Sequence, residues 1–223
     1  MNKHLVFCFS LLFFAASTYA VDFNIGLKGG ISISNIHSDY PALTLDYKHR
    51  VGPTTNLIGE IIQNDYFCHQ IGIGYFQAGG NLDSLPETDE LGIITGHGQE
   101  VVKLDYLNLS YVAKIKYPFK HVYPFLIIGM QADYMVNSSD IYITSKNVNY
   151  TMTDFQYKEL RKSNIAPVLG GGFGYSIMKF NLFIEYCLNY PLIPFFKFTN
   201  SSNATSKSSF FGHIINLGIL YKL

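Results

Sequence analysis

The sequence predicts an all-β fold, an eight-stranded antiparallel up-and-down transmembrane β-barrel. Three observations carry this. First, residues 22–34 alternate. Phe23, Ile25, Leu27, Ile31 and Ile33 take odd positions, and Asp22, Asn24, Gly26, Lys28, Gly30, Ser32 and Ser34 take even ones. A period of two gives a strand with one apolar face and one small or polar face. Second, an export signal precedes this strand, and similar strands recur as far as Leu223. Third, short connections alternate with long polar ones, the asymmetry of barrels with tight periplasmic turns and longer outer loops.

The N-terminus begins with Lys3 and His4. It continues through a short apolar core, Leu5 to Ala16, and ends on small residues at Ser17-Thr18-Tyr19-Ala20. This is the layout of a secretory signal. The apolar run falls well below the ~20 residues that span a bilayer as a helix. Residues 1–20 are therefore expected to be removed before Val21, leaving 21–223 as one barrel domain. Cys8 lies inside the apolar core with no small-residue box before it, which argues against a lipid anchor.

The first strand, Asp22 to Ser34, is followed by a polar loop through Tyr47. The second runs from about Arg50 to Ile62, and its Pro53 removes a ladder donor, so irregularity is expected near its upper end. Gln63-Asn64-Asp65 turns into the third, about Tyr66 to Gln77. Gly79-Gly80 is expected to open a long loop through Glu100. The fourth strand, about Val102 to Tyr117, sets Leu107, Leu109, Tyr111, Ala113 and Ile115 against Asn108, Ser110, Lys114 and Lys116. After a turn at Pro118 to His121, the fifth (about Val122 to Met135) sets Leu126, Ile128, Met130 and Tyr134 against Gln131 and Asp133. Val136 to Lys162 reads as a second long loop. The sixth strand, about Asn164 to Ile177, carries the row Gly170-Gly172-Gly174, and Met178-Lys179 turns the chain into the seventh, about Phe180 to Tyr190. A polar loop, Phe198 to Ser209, leads to the last strand, Phe210 to Leu223.

Once Lys3 is removed, 15 basic side chains face 16 acidic ones, a net charge of −1. A nucleic-acid partner, which needs a basic stripe, is not expected. Cys68 and Cys187 fall on opposite walls in this strand order, too far apart to bridge, and are expected to be free thiols.

A soluble lipocalin-type barrel has the same alternation with its faces reversed. The glycine row decides between them, because it suits a crowded interior and brings little to a solvated strand. Tyr47, Tyr106, Tyr117, Tyr123, Tyr134, Tyr175, Tyr190 and Tyr221 lie near strand ends and are expected to form interfacial girdles. The apolar faces, including Leu27, Leu109 and Phe173, should therefore point into outer-membrane lipid.

Several segments resemble the PorT-like outer-membrane barrels, relatives of the OmpA-type barrel found in the Bacteroidetes lineage. They are Gly26-Leu27-Lys28-Gly29-Gly30 with Ser34-Asn35, Gly74-Tyr75-Phe76-Gln77-Ala78-Gly79, Tyr106-Leu107-Asn108-Leu109 with Lys114, Gly170-Gly171-Gly172-Phe173-Gly174, and the closing Leu217-Gly218-Ile219-Leu220-Tyr221-Lys222-Leu223. The resemblance covers nearly the whole mature chain and implies an outer-membrane barrel of a Gram-negative bacterium. Two positions depart from that family, Gly72 where it usually has an acid and Leu223 where it usually ends in Phe. Founding members are implicated in secretion and gliding, which implies envelope or secretion proteins as partners.

An eight-stranded barrel is just wide enough for its own side chains, so no diffusion pore is expected. Parity sends Lys28, Glu60, Gln70, Asn108, Lys114, Lys116, Asp133, Glu185 and Asn216 into the lumen. Buried charges must pair, so an internal ion-pair and hydrogen-bond network filling the lower half is expected. A barrel enzyme acting on lipid A or phospholipid is the alternative, and it needs a nucleophile–base pair oriented by a carboxylate. His97 with Glu100, and His213 with Ser208 or Ser209, are the only such neighbours. No catalytic residue, metal ligand set or cofactor is expected; the acids Asp83, Glu87, Asp89 and Glu90 read as a solvated loop. Tyr142, Tyr150, Phe155 and Tyr157, set among Ser, Asn and Thr, suit an adaptable binding surface. A monomer is favoured.

Overall fold

The computed structural model describes residues 22–40, 43–145, 148–153, 161–199 and 205–223. The proposed signal segment, residues 1–20, lies outside them. The strands are β1 (Asp22–Tyr40), β2 (Leu43–Asp46), β3 (Arg50–Ile62), β4 (Phe67–Thr88), β5 (Ile94–Lys116), β6 (Val122–Ile143), β7 (Asn149–Thr153), β8 (Ser163–Ile177), β9 (Phe180–Asn189), β10 (Phe196–Thr199) and β11 (Thr205–Lys222). Eight of them, β1, β3, β4, β5, β6, β8, β9 and β11, form an antiparallel ring that the β11–β1 pairing closes. The short β2, β7 and β10 add to the outer ends of β1, β6 and β11.

The ring is staggered. Paired residues lead from Asn24 through Glu60, Gln70, Val112, Gly129, Val168, Asn189 and Gly212 to Ser34, 10 residues above the start on β1. Such a stagger tilts the strands by roughly 35–45° and closes the wall with no free edge.

Orientation follows from exposure. Leu27 and Leu109 are each 57% exposed and Phe173 is 61% exposed, while Glu60, Glu185 and Lys114 are buried. The apolar face is therefore the outer one, the reverse of a soluble ligand-binding barrel. The lipid-facing belt rises from Phe23, Ile61, Ile115, Val122, Ile177 and Phe180 to Ile33, Val51, Tyr75, Leu107, Tyr134 and Ile165. Tyr117, Tyr134, Tyr175, Tyr190 and Tyr221 are exposed at its margins. Tyr47, Tyr106 and Tyr123 correct the girdle expectation, because all three are buried inside. Tyr106 and Tyr123 occupy the inward parity of β5 and β6, and Tyr47 packs in the outer mouth.

The outer connections also differ from expectation. Gly79-Gly80 does not open a loop; β4 and β5 continue paired to Thr88 and Ile94. Bulges at Asp83/Leu85 and Glu87/Thr88, with Ser84 at φ 64°, break the period of two there and conceal the strands. Val136 does the same on β6, where Tyr106 pairs with Met135 but Asp105 with Asn137, and the strand extends to Ile143. The end of β10 and the start of β11 likewise fall in the expected loop at Phe198 to Ser209.

Beside Pro53, the β3–β4 pairing ends at Thr54 and Phe76. β4 then swings across to β1, where the Ser34 hydroxyl donates to the Gly79 carbonyl (3.0 Å) and accepts from the Gly79 amide (2.8 Å). Only glycine suits this crossing, because φ is +152° and a Cβ would sit 2.0 Å from the Val102 carbonyl oxygen.

Candidate functional site

Every sequence-derived lumen residue faces inward. Lys28 comes from β1, Glu60 from β3, Gln70 from β4, Asn108, Lys114 and Lys116 from β5, Asp133 from β6 and Glu185 from β9. The stagger brings five of them together although their strands are scattered round the ring. Lys28 forms an ion pair with Glu185. Lys114 bridges Glu60 at 3.0 Å and Glu185 at 3.8 Å, and Lys116 reaches the second Glu60 oxygen at 3.0 Å. The Asn216 amide adds a hydrogen bond to Glu185 at 3.1 Å. Three ammonium groups thus alternate with two carboxylates in a column that climbs from the lower rim. Pairing of this kind makes buried charge tolerable, because each ion meets an opposite charge where water is excluded.

The other three stand apart from this column. Asp133 sits higher and accepts from the Gln131 amide at 2.7 Å. The amide of Gln70 and the Asn108 carbonyl oxygen meet no hydrogen-bonding protein group among the described residues.

Aromatic rings complete the surroundings of the cations. The Lys114 ammonium lies 4.9 Å from the Phe125 ring centre and 4.6 Å from that of Phe183, and Lys116 lies 5.3 Å from that of Tyr123. Ring faces attract cations most strongly where water is scarce. The glycine row makes the space: a Cβ on Gly172 would approach Phe125 to 2.7 Å, and one on Gly174 would approach Tyr123 to 2.1 Å. Parity was the signal that would have found these rings, since Phe125 and Phe183 share the inward face with Gln131 and Glu185. They join a lower apolar cluster with Ile58, Val112, Ile127 and Leu220.

A second apolar cluster occupies the upper lumen, where Phe76, Tyr106 and Phe210 pack with ring centres 5.1–6.1 Å apart beneath Leu82, Leu104 and Phe195. Above it, at the outer mouth, Glu100 of β5 and Asp140 of β6 lie diagonally across the strands. Burial, with the Asp140 carboxylate beside it, pushes Glu100 up to about 7; burial also raises Asp140.

The other candidates disperse. His213 pairs with the Tyr186 hydroxyl, whereas the Ser208 hydroxyl bonds to Ser38 at 2.8 Å. His97 pairs across the strands with Pro86. Asp83 holds Lys48 at 2.6 Å, Glu87 accepts from Ser145, and Asp89 caps its own turn. Among the described residues, no three His, Cys, Asp or Glu gather as metal ligands. Cys68 and Cys187 are buried free thiols on β4 and β9, four strands apart in the ring. Tyr150 is exposed and Tyr142 is hydrogen-bonded to Glu87, while Phe155 and Tyr157 lie outside the described residues.

Three solved structures are similar to the chain. One is a major outer membrane protein from Thermus thermophilus (13% identity, 92% of this chain and 100% of that chain, TM-score 0.48). Another is the outer membrane protein OprG from Pseudomonas aeruginosa (9% identity, 90% and 96%, TM-score 0.48). The third is Neisserial surface protein A (10% identity, 92% and 100%, TM-score 0.44). No curated protein matches the chain. The family described as outer membrane protein beta-barrel domain matches residues 15–197. Together with the outward apolar face, this match places the chain in the outer membrane, as a member of the outer-membrane β-barrel domain family.

Proposed function

We propose that this protein is a non-catalytic outer-membrane barrel with a lumen closed to diffusion, serving a structural, adhesive or secretion-associated role at its outer face. One observation supports this above all. The ion-pair column and the Phe76–Tyr106–Phe210 stack fill successive levels of the interior. A channel needs a continuous wet path, and paired charges at one level with packed rings at the other argue against one. The resemblance to PorT-like barrels favours a partner in the envelope or secretion machinery, met through the extended β4–β7 sheet above the lipid belt. A signal segment at residues 1–20 fits export to that site.

Three measurements test this reading. Purified barrel in planar bilayers should give no stable conductance; large, long-lived channels would overturn the closed lumen. The mass profile of lipid A should be the same with and without the gene, and a changed acyl pattern would instead support an enzyme. Crosslinking on intact envelopes should capture a protein partner that is lost when residues 84–97 are shortened to a tight turn.

A further inference from the structure

Along the belt, lipid accounts for the exposed apolar side chains. At the tip of the β4–β5 hairpin it does not. Ile94 lies 13 residues up β5 from Leu107, the top of the belt, or about 40 Å along the strand at ~3.3 Å per residue. There Leu91 is 84% exposed and Ile93 and Ile94 are each 60% exposed.

The turn that presents them is fixed by its own hydrogen bonds. The Asp89 carboxylate accepts from the amides of Leu91 (3.0 Å) and Ile93 (2.9 Å). The Asp89 amide donates to the Ile93 carbonyl, and the Gly92 amide to that of Asp89, both at 3.0 Å. Gly92 takes φ +79°, which closes the turn without strain. A single exposed leucine is ordinary, but three apolar side chains held together on one turn make a contact patch.

Charge decides what covers it. Residues 84–97 carry Glu87, Asp89 and Glu90 with no Lys or Arg, and no Trp, Tyr or Phe. A second copy in the same membrane would bring the same acids to the same height, and like charges oppose that contact. A lipid surface is entered by basic and aromatic side chains, which this tip lacks.

We propose that Leu91, Ile93 and Ile94 seat in an apolar socket of a partner protein whose rim is lined by Lys and Arg. This rests on the reading of the outer face as a partner-binding surface and names the point of contact and its chemistry.

The test places a photocrosslinking amino acid at exposed Thr88 of the full barrel in intact cells, and a second one, separately, at exposed Tyr150 of β7. The adduct from position 88, mapped by mass spectrometry, should join a peptide from an apolar surface flanked by Lys or Arg. Leu91→Ser and Glu90→Lys should each lower its yield by about fivefold or more, the loss expected of a hot-spot side chain, while Leu91→Met retains it. Protease resistance of the barrel checks that each variant is folded. An adduct to lipid, to a second copy or to an acidic surface would overturn the proposal, as would a yield indifferent to Leu91→Ser or Glu90→Lys. An adduct from position 150 with none from 88 would overturn the tip contact and leave the outer-face reading standing; none from either position would overturn both.

Discussion

Glu185 is pinned between the Lys28 and Lys114 ammonium groups at the centre of the lumen. Removing one partner of a buried ion pair leaves the others uncompensated where water cannot reach. Glu185→Ala should therefore lower stability by roughly 3–5 kcal/mol, read as a shift of the urea midpoint in lipid or detergent; an unchanged midpoint would reject the network. Lys116→Ala should cost less, because Lys116 ends the column at the rim and Glu60 keeps Lys114. At this scale the sequence was legible wherever chemistry and parity agree. A lysine or glutamate on the inward face of a lipid-facing strand has few alternatives to pairing. Height along the strands was legible too, with Lys28 level with Glu185 and with Glu60, Lys114 and Lys116 nearer the lower rim. That Lys114 also reaches Glu185 was not, because this depends on the stagger between non-neighbouring strands such as β5 and β9.

The elements carry two further tests. On β8, a Cβ at Gly172 would lie 2.1 Å from the Ile184 carbonyl oxygen, whereas one at lipid-facing Gly29 meets only the Thr54 oxygen at 3.4 Å. Gly172→Ala forces neighbouring backbone apart and should cost about 1–3 kcal/mol, while Gly29→Ala should leave the unfolding midpoint near that of wild type. On β5 and β6, the raised Glu100 carboxyl makes the outer mouth pH-dependent. Its folded value, about 7, lies above the ordinary 4.5, so the folded state binds the proton more tightly than the unfolded state does. That contribution is complete below about 4.5 and lost as the pH rises through about 7. Amide protection factors at the outer ends of β5 and β6, corrected for the intrinsic rise of exchange with pH, should therefore fall across this window, and Glu100→Gln should flatten the response. The belt segments of the eight ring strands were readable from period two alone. Their outer extensions were not, since one extra residue at a bulge reverses the parity on which the reading depends.

For the whole molecule, the sign of the alternation was the informative quantity. Glycines and ions on one face, with Leu, Ile and Phe on the other, distinguish a lipid-facing wall from a solvated one before any coordinate is known. The apolar filling of the upper lumen follows the same parity. Phe76 continues the inward row of Gly72 and Gly74, and Tyr106 that of Asn108, with no bulge between. The expectation of tyrosine girdles at strand ends overrode it for Tyr106. The seam between β1 and β11 has its own consequence. Asn24 pairs with Lys222 and Asp39 with Lys207, so the first strand of the ring must wait for the last before its hydrogen bonds are complete. Sequential ripening, hairpin by hairpin, would leave an open border along β1 throughout synthesis. The cylinder is instead expected to mature as a single cooperative event once residues 205–223 arrive. Truncation before Thr205 should thus yield no heat-modifiable folded band on a gel, rather than a seven-stranded remnant.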